Sequence, residues 1–388
     1  MSSRLEGLVQ ALHGDSVDKL TLTREEAIEA ARDFVAERRK SIRLRHEQGE
    51  SGSNVVHLLA ETADHVVGAL FSFGLATMDI PQAVASRVCL CALGGYGRGE
   101  LSPSSDLDVC LLYEDRLEEP IRKLNSLLIP ILWDTTGLPV GYSMRNVRQA
   151  RHLAGRDLSV FTSFLEARYL CGESSVFAAM KLALDGLRTE QMVAEFVMSK
   201  TRDRLEGLGD EFADLFAPEP HIKESAGGLR DFHTALWLFM MVHGGNSLDE
   251  AAAQGLITSE EQLEFAEAVD FLWRIRNELH FTYGVAEDRL TYRSQRHLAA
   301  AFGYESTHQS NVLMFMQDYY SAASKLRRLL TIAARTCNYP TPVGLPELPP
   351  GAERDFVVEE GQLFVGLGDE HWFAHVPARL MEVYWRCA

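Results

Sequence analysis

The sequence predicts an α+β protein in which a few buried strands are set between helical segments. Three patterns carry that reading. Residues 86–93 (SRVCLCAL) and 107–113 (LDVCLLY) are short apolar runs bounded by turn residues, as buried strands are. Much of the chain before them spaces its apolar side chains as helices do. From about residue 157 to 336 the pattern is again mostly helical.

Taken in order, Thr23 followed by Glu26 fits a capping box, and Ala27, Ala31, Phe34, Val35 and Ile42 form one stripe, so 23–48 reads as a helix. GESGSN (49–54) is a loop by composition, and 55–76 is a second, apolar helix. The first strand run ends at Gly94-Gly95. Residues 119–135 read as a helix with Pro120 near its first turn, where a missing N–H leaves no bond unmade. A third strand is expected at 138–147. In the helical region breaks fall at Gly172, at 217–221, at the Gly pairs 227–228 and 244–245, and near 284 and 303. Residues 338–351 are a proline-rich linker, and DFVVEEGQLFVG (355–366) reads as a small hairpin turning near Glu360-Gly361. The expected organisation is therefore an N-terminal helical segment (1–85), a strand-bearing domain (86–170), a helical domain (171–337) and a linker with a hairpin (338–388). No internal repeat of 20–50 residues is present.

The chain has 388 residues, with 55 acidic against 38 basic side chains and a net charge of −17. That balance argues against a long nucleic-acid partner, which needs a basic footprint. The charge is uneven, because 86–170 holds ten bases and ten acids while the segments around it are acidic. The six cysteines show neither CxxC spacing nor a framework pattern and read as reduced thiols. Cys89 and Cys91, two apart, are expected on one strand face. The N-terminus has no apolar signal core, and no run approaches the roughly 18 apolar residues of a membrane span, so the expectation is a soluble cytoplasmic protein.

The chemistry concentrates in Leu93-Gly94-Gly95-Tyr96-Gly97-Arg98-Gly99-Glu100-Leu101-Ser102-Pro103-Ser104-Ser105-Asp106-Leu107-Asp108-Val109. A strand ending in two glycines lets another group approach the backbone closely. A helical turn starting there aims free N–H groups at an anion. Arg98 adds a guanidinium suited to phosphate. On a strand, Asp106 and Asp108 point the same way, about 6.6 Å apart along the axis. Two such carboxylates repel, and one is pushed toward protonation unless a cation lies between them. Hard oxygen ligands of this kind suit Mg²⁺ together with a substrate phosphate. The pattern is not a Walker A loop, since no GK[ST] follows, nor a Rossmann turn, since the acids arrive too early.

This order of apolar strand, Gly-Gly and, ten residues on, Asp-apolar-Asp-apolar resembles the signature of the DNA polymerase beta-type nucleotidyltransferases. The wording GGYGRGELSPSSDLD is similar to one branch, the bacterial protein-PII uridylyltransferases. A second block, His221-Ile222-Lys223-Glu224-Ser225-Ala226-Gly227-Gly228-Leu229-Arg230-Asp231, resembles that family too, with Ser225 where the family has glycine. Further likenesses lie at 158–173, 271–290 and 295–304. The resemblance is ordered and spans roughly residues 25–385.

The resemblance implies a small mixed-sheet nucleotidyltransferase domain flanked by an N-terminal helical segment and a C-terminal helical bundle. It implies transfer of UMP from UTP to a tyrosine of a PII-type signal protein. Asp106 and Asp108 would then bind Mg²⁺ or Mn²⁺, and Gly94 and Gly95 would cradle the triphosphate. Arg98 would contact the triphosphate and Ser105 would hydrogen-bond a phosphate. Lys223 and Arg230 would form a second nucleotide-contacting element; the other reading is a helix-entry turn held by Lys–Glu or Arg–Asp pairs. The third carboxylate of the superfamily has no counterpart on the expected strand 138–147. Asp157 and Glu166 are the nearest acids downstream; Asp157 reads equally as a helix cap, and Glu166 as an Arg-paired helix residue. Arg145 is a further residue that could face the cleft. His221 and His233 read as turn and helix histidines, and Trp237, Phe239 and Trp273 as core. Full-length relatives continue into a phosphohydrolase domain and ligand-sensing domains. The chain has no His-Asp dipeptide, so removal of UMP is expected to be absent. Alternatives are transfer with another donor or acceptor, such as adenylyl transfer, or a non-catalytic nucleotide- or partner-binding relative.

Overall fold

A computed structural model describes residues 23–114, 119–207, 209–304 and 310–338, together with the backbone of 356–359 and 362–365. Helix α1 (Arg24–Glu47) opens on the expected capping box: the Thr23 hydroxyl accepts the Glu26 N–H at 3.3 Å, and the Glu26 carboxylate accepts the Thr23 N–H at 2.9 Å. Helix α2 (Gly52–Thr77) follows, its first N–H groups held by Ser51 and by a distant acid, Asp270, which accepts from Gly52 at 3.1 Å and Ser53 at 2.8 Å. By length and composition α2 could cross a bilayer, although no such run was expected; 61% of its most apolar stretch is buried inside the protein, as in a core helix.

The sheet is built from β1 (Val88–Ala92), β2 (Leu107–Tyr113), β3 (Val140–Asn146) and β4 (Arg168–Gly172), in the order β3-β2-β1-β4. It is mixed: β1 is antiparallel to both β2 and β4, and β2 is parallel to β3. The parallel pair needs a crossover, which helix α3 (Glu119–Thr136) supplies. Both faces are covered. Val88, Leu90, Val109 and Leu111 pack toward α1, α2 and α3. Cys89, Cys91, Cys110 and Leu112 pack toward α4 (Val147–Ala154), α5 (Leu158–Leu165) and α6 (Ser174–Asp185). Burial on both faces is why these strands read as continuous apolar runs. Cys89 and Cys91 share one face, and Cys89, Cys91, Cys110, Cys171 and Cys337 are free thiols.

Strand β4 is an element that the mostly helical reading after residue 157 did not include. Five residues carry little periodicity, and β1 presents an unpaired edge that they satisfy. At Gly172 (φ +94°) a Cβ would stand 2.6 Å from the Val88 carbonyl oxygen, so the strand turns away where only glycine fits.

Beyond the sheet, α7 (Glu190–Leu205), α8 (Leu229–His243), α9 (Ser259–Tyr283), α10 (Tyr292–Ala301) and α11 (Ser310–Thr336) form a bundle. Its core includes Phe232 and Phe239 of α8, Phe265 and Leu272 of α9, and Tyr319 and Leu326 of α11. Gly244 and Gly284, two expected breaks, end α8 and α9 in left-handed conformations. The chain divides into two compact units, 1–339 and 340–388. In the second, β5 (Phe356–Glu359) and β6 (Gln362–Val365) form an antiparallel hairpin. The rest of the linker and tail lies outside the described residues.

Candidate active site

A cleft of about 660 Å³ separates the end of the sheet from the helical bundle. On the sheet side β1 runs into Gly94 (φ +55°) and a single helical turn, Gly94–Gly97. The turn is pressed onto the end of α5, because a Cβ at Gly97 would lie 2.6 Å from the Glu166 carbonyl oxygen. The N–H groups of Gly94 and Gly95 begin this turn, where no preceding carbonyl is in reach of a helical bond. The chain then returns so that the Leu93 N–H donates to the Asp108 carbonyl at 2.9 Å.

Asp108 sits between two glycines. A Cβ at Gly94 would come 3.1 Å from its Oδ2, and one at Gly141, its partner on β3, 2.0 Å from its Oδ1. Burial raises the Asp108 pKa, and the charge of Asp106 raises it further, while Lys223 opposes both. The two carboxylates line the cleft, and no group of three His, Cys, Asp or Glu side chains that could hold a metal ion occurs among the described residues. A carboxylate pair with neither acid ion-paired among the described residues suits a hard divalent cation sharing its shell with phosphate.

Arg98 lines the cleft but is engaged within it. Its Nε donates to Glu100 at 2.6 Å and its Nη1 to Glu166 at 2.6 Å. Glu100 also meets His233 Nε2 at 2.8 Å, and Glu166 accepts the Trp237 indole N–H. Although burial opposes it, the charges of His233 and Arg98 hold Glu100 down at about 2; burial pushes the Glu166 carboxyl up and His233 down to about 4. Ser105 lines the cleft with its Oγ accepting the Ser102 N–H at 3.1 Å. Asp157 is the N-cap of α5, accepting from Ser159 at 2.7 Å. Strand β3 holds no acid, and Gly141 stands beside Asp108 instead.

The second block closes the opposite wall. Lys223 and Arg230 line the same cleft as Gly94, Gly95, Asp106 and Asp108. The block is also a tightly held turn. Arg230 pairs with Glu224 at 3.0 Å, and Lys223 stands 3.9 Å from the same carboxylate. Asp231, fully buried, accepts from Arg204 Nε at 2.6 Å, from the Gly227 N–H at 2.7 Å and from Arg327 at 3.1 Å. A Cβ at Gly227 (φ +72°) would fall 2.2 Å from the Ala323 carbonyl oxygen, so the turn lies directly on α11.

These two blocks are also where the chain matches known families. The family model for GlnD PII-uridylyltransferase matches residues 195–333, and the DUF294 nucleotidyltransferase model matches residues 36–128. A bifunctional uridylyltransferase/uridylyl-removing enzyme of Phenylobacterium zucineum is 31% identical over 330 residues, covering 79% of this chain and 34% of the relative. One of the same description from Caulobacter vibrioides is 31% identical over 320 residues (81% and 34%), and one from Pseudomonas putida 36% over 249 (63% and 27%). Over these segments the chain is similar to the PII-uridylyltransferase family and to a nucleotidyltransferase family. It spans about a third of the length of the curated relatives it matches.

Several residues of the cleft carry no sequence signal. Glu100 and His233 meet across 133 positions, and Trp237 and Trp273, which read as core, are nearly buried yet still line the cleft. Arg276, paired with Asp288 at 2.7 Å, closes another part of the wall. Lys200 on α7 comes from a stretch with no motif at all. Ser225, which stands where the resembled family has glycine, is buried, and its hydroxyl oxygen accepts the His221 N–H at 2.9 Å.

Proposed function

We propose that this cleft transfers UMP from UTP to a tyrosine hydroxyl of a PII-type signal protein. The observation that carries the proposal is the convergence of the Gly94–Asp108 and Lys223–Arg230 blocks on one cleft, each from a segment that a nucleotidyltransferase family model matches. In this reading the acceptor oxygen bonds to the α-phosphorus, and the bond from that phosphorus to the bridging oxygen breaks. The electron pair leaves on pyrophosphate, and the hydroxyl proton passes to water. Asp106 and Asp108 hold Mg²⁺ or Mn²⁺, which when bound neutralises phosphate charge and lowers the pKa of the attacking hydroxyl. Gly94 and Gly95 offer backbone N–H groups to the triphosphate, with Ser105 a further phosphate contact. Arg98, held by Glu100 and Glu166, keeps a fixed guanidinium beside Gly95, its Nη2 3.6 Å from where a Cβ there would stand. Lys223 and Arg230 supply positive charge from the opposite wall.

Transfer alone is assigned to these residues, and removal of UMP to none of them. The free thiols support a reducing, cytoplasmic setting. The test is incubation with α-labelled UTP, Mg²⁺ or Mn²⁺ and a PII-type protein. Label on a tyrosine, with pyrophosphate released and little label from ATP, is the expected result. Preference for ATP, or tight UTP binding without pyrophosphate release, would overturn the proposal.

A further inference from the structure

Six cationic side chains line the cleft: Arg98, Lys200, Arg204, Lys223, Arg230 and Arg276. Five have an acid within 4.0 Å: Arg98 has Glu100 and Glu166, Arg204 has Asp231, Lys223 and Arg230 share Glu224, and Arg276 has Asp288. Lys200 has no such partner among the described residues. Its ammonium lies instead over aromatic faces, 5.3 Å from the Trp237 ring centroid and 5.7 Å from that of Phe196. Burial, the largest influence, pulls its pKa down; Asp203 opposes this and Arg230 adds to it. With ring contacts in place of a paired carboxylate, and Asp203, Glu166 and Asp157 acting on it only from beyond 4.0 Å, this half-buried ammonium is undercompensated, and an incoming anion would supply the missing charge.

Its position says which part of the ligand it meets. Trp237, beneath Lys200, donates to Glu166, and Glu166 holds Arg98, whose Nη2 is next to Gly95. Lys223, by contrast, is felt electrostatically at Asp108. Arg230 links them, since it covers the Trp237 ring that Lys200 also covers, at 5.8 Å, and shares Glu224 with Lys223. Lys200, Arg230 and Lys223 are therefore connected through Trp237 and Glu224 along the cleft lining, with Lys223 the one that acts on Asp108 and Lys200 the one joined to the glycine turn through Trp237, Glu166 and Arg98.

We propose that Lys200 binds the terminal phosphates of the nucleoside triphosphate, and so the pyrophosphate that departs. This deepens the transferase reading and rests on it. A nucleotide whose α-phosphate is at Asp106 and Asp108 places its phosphate tail along the glycine turn, toward Arg98 and Lys200. Charge on the β- and γ-phosphates grows as the leaving group separates, so an ammonium there favours departure as well as binding.

The test compares the wild-type chain with Lys200→Met and Lys200→Arg, titrated calorimetrically with UTP, UMP and inorganic tripolyphosphate, and assayed for UTP turnover. Lys200→Met should weaken UTP and tripolyphosphate at least tenfold and leave UMP within twofold. Lys200→Arg should recover most of the loss. A merely structural Lys200 would weaken all three ligands alike or none, and either result overturns the proposal. Wild-type binding of tripolyphosphate that Lys200→Met abolishes, without any UTP turnover, would uphold the phosphate site while the transferase reading fails. Equal tripolyphosphate affinity in wild type and Lys200→Met would overturn the phosphate site even if the chain transfers UMP.

Discussion

Replacing Gly141 by Ala tests whether Asp108 is held where the chemistry needs it. Gly141 is exposed on an edge strand, so nothing in the core requires it to be glycine. Yet its added Cβ would stand 2.0 Å from Asp108 Oδ1. Ordinary contact begins near 3.4 Å, so the carboxylate must retreat by about 1.4 Å or rotate away. The overpacking should cost about 1–3 kcal/mol of stability, at the lower end for an exposed site. The catalytic cost should be larger in effect, because a misplacement of about 1 Å can lower a rate by about 100-fold. Thermal unfolding and initial rates of UTP turnover would be measured on Gly141→Ala, Asp108→Asn and the double variant. If the methyl lowers turnover by moving Asp108, it should lower turnover almost no further in the Asp108→Asn background, where the steric cost to stability remains. Full turnover in Gly141→Ala, or an undiminished loss in the double variant, would refute the reasoning.

Asp106→Asn and Asp108→Asn should each lower turnover by orders of magnitude while thermal unfolding stays close to wild type; turnover equal to wild type in both would remove the site assignment. In Asp106→Asn, Asp108 should titrate lower than in wild type, because the neighbouring charge that raises it is gone, and carbon-13 NMR of the carboxyl would show this. Asp231→Ala strands buried Arg204, so it should cost about 3–5 kcal/mol in denaturant unfolding; a loss under 1 kcal/mol would mean the pair is replaceable. Burial holds His233 down at about 4 against an ordinary 6.5, so as pH falls the unfolded chain takes up this proton first. Its contribution to stability is then full above pH 6.5 and lost down to about 4, and His233→Gln should flatten unfolding curves in that window.

Much of the site was legible because it is local. Gly94 to Asp108 is one strand end, one turn and one strand start, and backbone geometry alone dictates close approach at the glycines; Asp106, read as a strand residue, instead immediately precedes β2. The capping box of Thr23 and Glu26 and the apolar runs of β1 and β2 are legible for the same reason. Strand β4 was not, because RYLCG becomes a strand only by pairing with β1. Glu100 facing His233, Glu166 accepting from Trp237, and Lys200 over two rings depend on helices that are distant in sequence.

The sequence by itself determined the fold class, the strand–glycine–carboxylate unit and the kinship of both blocks to nucleotidyltransferases. Each of these is a short-range pattern of backbone freedom, periodicity and charge. The tertiary structure alone decided that Lys223 and Arg230 close the wall opposite Asp106 and Asp108. It also decided that Arg98 is clamped by two glutamates, and that Gly141 leaves room for Asp108 where β3 carries no acid. Such choices depend on which helices meet across the cleft, and packing over more than a hundred residues sets that, with no trace in the local spacing.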